Sequence, residues 1–165
     1  NNAFPAKDVR ELIAYAKANP GKVTVGNSGT GSIWHFAALG IEQACGVSFN
    51  HVPFDGGAAA ATAVMGGHVD VATVAPGEVL AGVKSGDLRV LAIVDNKRSQ
   101  LYPEVPCFKE LGYDVKILAW GAFAAPAGTP DNVIAVLETA FAKAIQSKGF
   151  EDLCMKYGQI GRAHV

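Results

Sequence analysis

The densest group of residues able to hold or attack a small molecule is Gly26-Asn27-Ser28-Gly29-Thr30-Gly31-Ser32, between an apolar run and an amphipathic stretch. Glycines let a backbone turn its N–H groups inward, Ser32 can cap a following helix, and the helix start adds partial positive charge. The loop therefore reads as an anion cradle built from Ser28, Gly29, Thr30, Gly31 and Ser32, or as a plain connecting turn. His35 follows within the first helical turn, where it could donate to a carboxylate, act as a base, or pack against a nearby carbonyl. A second glycine turn, Val52-Pro53-Phe54-Asp55-Gly56-Gly57-Ala58, also leads from a strand into a helix. Two such turns on neighbouring strands share one crevice in open α/β sheets, so N–H groups at Gly57 and Ala58 are expected to oppose those at Gly31 and Ser32.

Other chemistries fail on single residues. A phosphate-binding P-loop needs Lys where Ser32 stands, and a dinucleotide fingerprint needs Gly where Trp34 stands. A nucleophile elbow needs glycine two residues beyond its serine, but Ser28 is followed by Gly29-Thr30. What survives of an enzymatic reading is a hydrolase or transferase using Ser28 and His35 beside an oxyanion-type loop. Asp55 reads as a turn former, and Asp70 and Glu78 as scattered carboxylates that form no acid and base pair. His51, His68 and His164 show no spacing that would join His35 around a metal, so no metal site and no cofactor is expected. Cys45, Cys107 and Cys154 are too widely spaced for a zinc pattern or disulfide framework and read as isolated thiols.

The elements that must position these loops alternate. Val9, Leu12, Ile13 and Ala16 mark one face of a helix ended by Asn19-Pro20-Gly21, and Lys22 to Gly26 reads as a buried strand. A helix from Ser32 to Gly46 leads into a strand at Ser48 to Val52, and an alanine-rich helix spans Gly57 to Met65. Val69 to Ala75 is predicted as a third strand, Val79 to Lys84 as a short helix and Leu88 to Val94 as a fourth strand. Alternation of this kind indicates an α/β layered sheet, mixed or mainly parallel, flanked by helices. Beyond Asp95 a surface loop precedes a helical turn at Phe108 to Leu111, and Val115 to Ala125 is extended and apolar. Thr129-Pro130 opens a last helix, with the threonine hydroxyl as cap and the proline in the first turn. Its apolar stripe, Val133, Val136, Leu137, Ala140, Phe141 and Ala144, requires a cover.

The bulk numbers set limits. A chain of 165 residues holds one domain with a real core, or a lobe and part of another, but not two complete lobes. Half of its residues are apolar and its formal net charge is −1, so it has no electrostatic basis for general binding to nucleic acid or anionic membrane.

Taken in order, several segments resemble the Bug-type solute-binding receptors of tripartite tricarboxylate transporters. They are Ala16 to Lys22, Gly26 to His35, His51-Val52-Pro53-Phe54 with Gly56-Gly57, Gly66 to Asp70, Ser85 to Ala92, and Trp120-Gly121 followed by Ala125 to Pro130. The resemblance runs from about Ala6 to Gly158. It implies a type II periplasmic-binding-protein-like fold whose two α/β lobes close on a small di- or tricarboxylate, which is then presented to membrane permease subunits in the bacterial periplasm. It implies a receptor rather than an enzyme, with Ser28 to Ser32, His35 and Gly56 to Ala58 as ligand contacts and Val74 and Ala75 lining the pocket. It also implies that residues 1–117 form the second lobe and 118–165 a return into the first, with Lys116 to Phe123 as a crossing strand. The N-terminal part of the first lobe, including its own glycine-rich loop, has no counterpart in this sequence. A truncated chain with an uncovered last helix is therefore expected to self-associate or swap domains.

Overall fold

In the computed structural model, residues 3–117 and 122–157 are described. They fall into two compact units that divide between Leu118 and Ala119. The first unit opens with α1 (Val9–Ala18). Asp8 caps it by accepting the Glu11 N–H at 2.8 Å, and Val9, Leu12, Ile13 and Ala16 form its buried face. The predicted stripe is thus the one that packs, each large aliphatic contributing about 1.5–3 kcal/mol by leaving water.

Three parallel strands follow, β1 (Thr24–Asn27), β2 (Asn50–Pro53) and β3 (Val71–Ala72), in the order β2-β1-β3. Between them run α2 (Ile33–Cys45) and α3 (Gly57–Met65), and a 3₁₀ turn at Pro76–Val79 leads into α4 (Leu80–Ser85). Successive strand residues face opposite sides of the sheet, and the packing follows that alternation. Val25 and Val71 join the cluster formed with α1 and α2, while Val52 and Ala72 join the one formed with α3 and Leu88. The unit is a helix-sheet-helix sandwich, as the alternating sequence pattern implies.

Gly26 is the tightest point of that sandwich. A Cβ there would lie 3.2 Å from Phe54 Cε2 and 3.4 Å from both Ala60 Cβ and Val69 Cγ2. The glycine lets α3 lie close against the central strand.

Two predicted strands are cut down. Only Val71–Ala72 of the expected Val69 to Ala75 strand pairs with β1. At its entry the Asp70 carboxylate accepts from the Thr24 N–H at 2.8 Å and the Thr24 hydroxyl at 2.7 Å. At its exit the Thr73 hydroxyl turns aside to donate to the Trp34 carbonyl at 2.7 Å. The expected strand at Leu88 to Val94 makes only a single parallel bridge, Ile93 with Cys107, among the described residues. Leu88, Leu91, Ala92 and Val94 nevertheless pack into the two clusters. The apolar pattern reports burial, which here is met without ladder hydrogen bonds. Arg89 donates through Nη2 to the carbonyls of Phe4 and Ala6, tying this segment to the chain before α1.

Arg98 closes the surface loop by donating from Nε to both Glu110 oxygens, at 2.9 and 3.1 Å, and from Nη1 to Pro103 O. Cys45 and Cys107 are buried free thiols and Cys154 is partly exposed, as read from their spacing; burial pushes the Cys45 thiol up from its ordinary value.

The second unit holds α5 (Asp131–Ile145) and α6 (Lys148–Tyr157). The expected cap is corrected. Pro130 itself occupies the N-cap position, and the Thr129 hydroxyl donates back to Pro126 O at 2.8 Å. Phe123 stacks on Phe141 with centroids 4.1 Å apart, but α5 has no buried residue and Val133, Val136 and Leu137 stand exposed. The expected crossing strand Lys116 to Phe123 includes residues 118–121, outside the described residues. Lys116, Ile117, Ala122 and Phe123 lie in no regular strand. No helix among the described residues is long and apolar enough to cross a membrane.

Candidate functional site

All three strands run the same way, so the segments leaving β1, β2 and β3 emerge along one edge of the sheet. The pairing of Asn27 with Pro53 brings the first two loops side by side, and the Phe54 N–H donates to Asn27 O at 2.9 Å. Thr73 joins the third segment by donating from its N–H to Gly26 O at 2.9 Å. The two glycine turns and the stretch containing Val74 and Ala75 therefore share the carboxyl edge, where ligands of open α/β sheets are received.

Within the first loop most N–H groups already have partners. Gly29 N–H donates to Asn27 Oδ1, Gly31 N–H to His35 Nδ1, each at 3.1 Å, and Ser32 N–H to Gly29 O. Ser32 is the N-cap of α2, its Oγ accepting from the His35 N–H at 3.1 Å. Gly29 and Gly31 have φ of 112° and 78°, a region that favours glycine. The Gly31 and Ser32 N–H groups, expected to face a ligand, are used in closing the loop on itself. The hydroxyls and N–H groups of Ser28 and Thr30 make no hydrogen bond among the described residues.

Among the described residues His35 neither pairs with Ser28 nor bonds a carbonyl. Its Nδ1 accepts from Gly31, and its ring meets His51 edge-on with centroids 4.9 Å apart. His51 Nε2 lies 3.3 Å from Glu42 Oε2, and Glu42 Oε1 accepts from the Phe49 N–H. Sequence spacing did not foretell that His35 and His51 meet, since one lies on α2 and the other on β2. No metal-holding group of three His, Cys, Asp or Glu occurs among the described residues.

At the second turn Gly56 has φ of 97° and precedes α3, whose early N–H groups at Gly57 and Ala58 have no helical partner. Beside them lies Glu78, whose position in sequence suggested only a scattered carboxylate. The Glu78 carboxylate accepts the Ala75 N–H at 2.8 Å, and a Cβ on Gly57 would fall 2.1 Å from its Oε2. Asn27 was missed as a positioning residue. It is fully buried at the end of β1, and its Oδ1 braces Gly29 in an Asx turn. Asn two residues before a glycine was the available signal.

Residues 1–160 match the family model described as the tripartite tricarboxylate transporter family receptor. A Cupriavidus necator protein, "UPF0065 protein in gbd 5'region", is 36% identical over 157 residues, covering 93% of this chain and 46% of its own. The crystal structure of a TctC solute binding protein from Polaromonas is 38% identical with a TM-score of 0.74, over 93% of this chain and 53% of that one. An R. palustris protein solved with adipate is 25% identical with a TM-score of 0.84, over 94% and 52%. The chain thus spans about half the length of the relatives it matches. The matched family is one of receptors, which disfavours the hydrolase or transferase reading.

Proposed function

Because the chain belongs to the tripartite tricarboxylate transporter receptor family, we propose that the full-length protein captures a small di- or tricarboxylate in the periplasm and delivers it to membrane permease subunits. It carries out no chemistry on the acid. The observation that carries this reading is the convergence of two glycine turns at one sheet edge, with the Ser28 and Thr30 donors unspent within the chain. The adipate-bound relative, which shares the fold over nearly all of this chain, supports a carboxylate as the ligand class.

In this reading Ser28 and Thr30 hold one carboxylate through hydroxyl and N–H donors, while Gly29, Gly31, Ser32 and His35 give the loop its shape. Gly56, Gly57 and Ala58 supply the second turn, with Val74 and Ala75 as the wall. Residues 1–117 are the second lobe and residues 118–165 return into the first, which supplies the other half of the clamp. The unburied stripe of α5 supports that assignment, since a lobe partner would cover it.

Titration of the full-length protein with a carboxylate panel tests the reading. A bound acid recovered unchanged, stabilising the fold by about 2.7 kcal/mol at 100 times its Kd, is the expected result. Product released with turnover would favour the enzyme, and no thermal shift with any acid would contradict the receptor.

A further inference from the structure

The α3 end of the site already carries a negative charge of the protein's own. Glu78 sits on the 3₁₀ turn Pro76–Val79, and its carboxylate reaches back to the Ala75 N–H at 2.8 Å. Its other boundary is Gly57, the buried first residue of α3, where any side chain would collide with it: an ideal Cβ lies 2.1 Å from Oε2, 2.5 Å from Cδ and 2.6 Å from Oε1. The turn that carries Glu78 is itself held. Pro76 restricts its start, and the hydroxyl of Tyr102, a buried residue, donates to Pro76 O at 3.1 Å. A carboxylate beside the N-terminus of a nine-residue helix also lies where the helix dipole favours negative charge.

We propose that Glu78 is a specificity-determining residue, which bars a ligand carboxylate from the α3 end of the site and selects acids presenting a hydroxyl or ammonium group there. This rests on the receptor reading above. Two carboxylates sharing one helix start repel each other, whereas a hydroxyl or ammonium placed against Glu78 gains a charge-assisted hydrogen bond. The ligand's carboxylates are then held at Ser28 and Thr30 and by the remainder of the receptor. The ligand class narrows from di- or tricarboxylates in general to those bearing a donor substituent.

The test is calorimetric titration of the full-length protein and of its Glu78→Gln variant with matched acids: succinate, malate and aspartate; glutarate, 2-hydroxyglutarate and glutamate; adipate and 2-aminoadipate. Glutamine keeps the side chain's length and an oxygen for the Ala75 N–H, and position 78 is exposed, so the variant retains the fold. In the wild type a substituted acid should bind about tenfold or more tightly than its unsubstituted partner, about 1.4 kcal/mol or more. In Glu78→Gln the advantage should shrink to about threefold or less. A wild type that favours the unsubstituted acid, or a variant that keeps the full advantage, would overturn the role of Glu78 and leave the receptor reading standing. Failure of every acid to bind either protein would overturn both.

Discussion

Glu110 shows how one side chain can set a pH response. The Arg98 guanidinium beside it, helped by the Cys107 N–H, holds its carboxyl down from 4.5 to about 2. A carboxylate whose folded pKa lies below its unfolded one stabilises the fold above the unfolded value, and that stability is lost as pH falls towards the folded value. The expected outcome is a melting temperature that drops between about pH 4.5 and 2, with a smaller drop in Glu110→Gln. Both partners are more than two-fifths exposed, so salt should reduce the difference. Identical acid profiles for the two proteins would show that the pair contributes nothing. The same scale shows what a linear reading misses. Asp70 looked like a scattered charge because its hydrogen-bond partner Thr24 lies 46 positions away in sequence, whereas Glu78 bonds Ala75 three residues back and only its neighbour Gly57 is distant. Ser32 was legible as a cap because its partner is three residues on.

Among the elements, the central strand constrains the site most. β1 pairs on both sides, ends in the first glycine-rich loop and allows α3 to approach at Gly26. A methyl group at Gly26 must push Phe54, Ala60 or Val69 by a few tenths of an ångström, and Phe54 belongs to the second glycine turn. Gly26→Ala should therefore destabilise the protein by about 1–3 kcal/mol in urea denaturation and weaken acid binding in parallel. An unchanged denaturation midpoint would show that the packing there is looser than described. The helices were readable from the sequence because their apolar positions repeat at a spacing that strands do not share. Strand limits were not, since β3 is bounded where the Asp70 and Thr73 side chains find hydrogen-bond partners, and the segment from Leu88 to Val94 packs half-buried without joining the sheet. The Gly-rich loop was legible as a turn between strand and helix. Its internal closure, which takes the Gly29 N–H to Asn27 and the Gly31 N–H to His35, depends on folded geometry.

For the whole molecule, the stripe Val133, Val136 and Leu137 remains exposed on a helix with no buried residue. Apolar surface of that kind favours association, so the 165-residue chain should form dimers or larger species as its concentration rises. Analytical ultracentrifugation showing a clean monomer at high concentration would contradict this. If residues 118–165 return into a first lobe, as proposed, the rest of that lobe covers the stripe in the full-length protein and the tendency should disappear. As one side of the proposed carboxylate clamp, this chain requires that the full-length protein hold an acid. Native mass spectrometry of the full-length protein, gently purified, tests it most directly. One small organic acid per protein, released intact on denaturation, is the expected result, whereas a protein found with no acid, which also fails to take one up from the panel, would contradict the clamp.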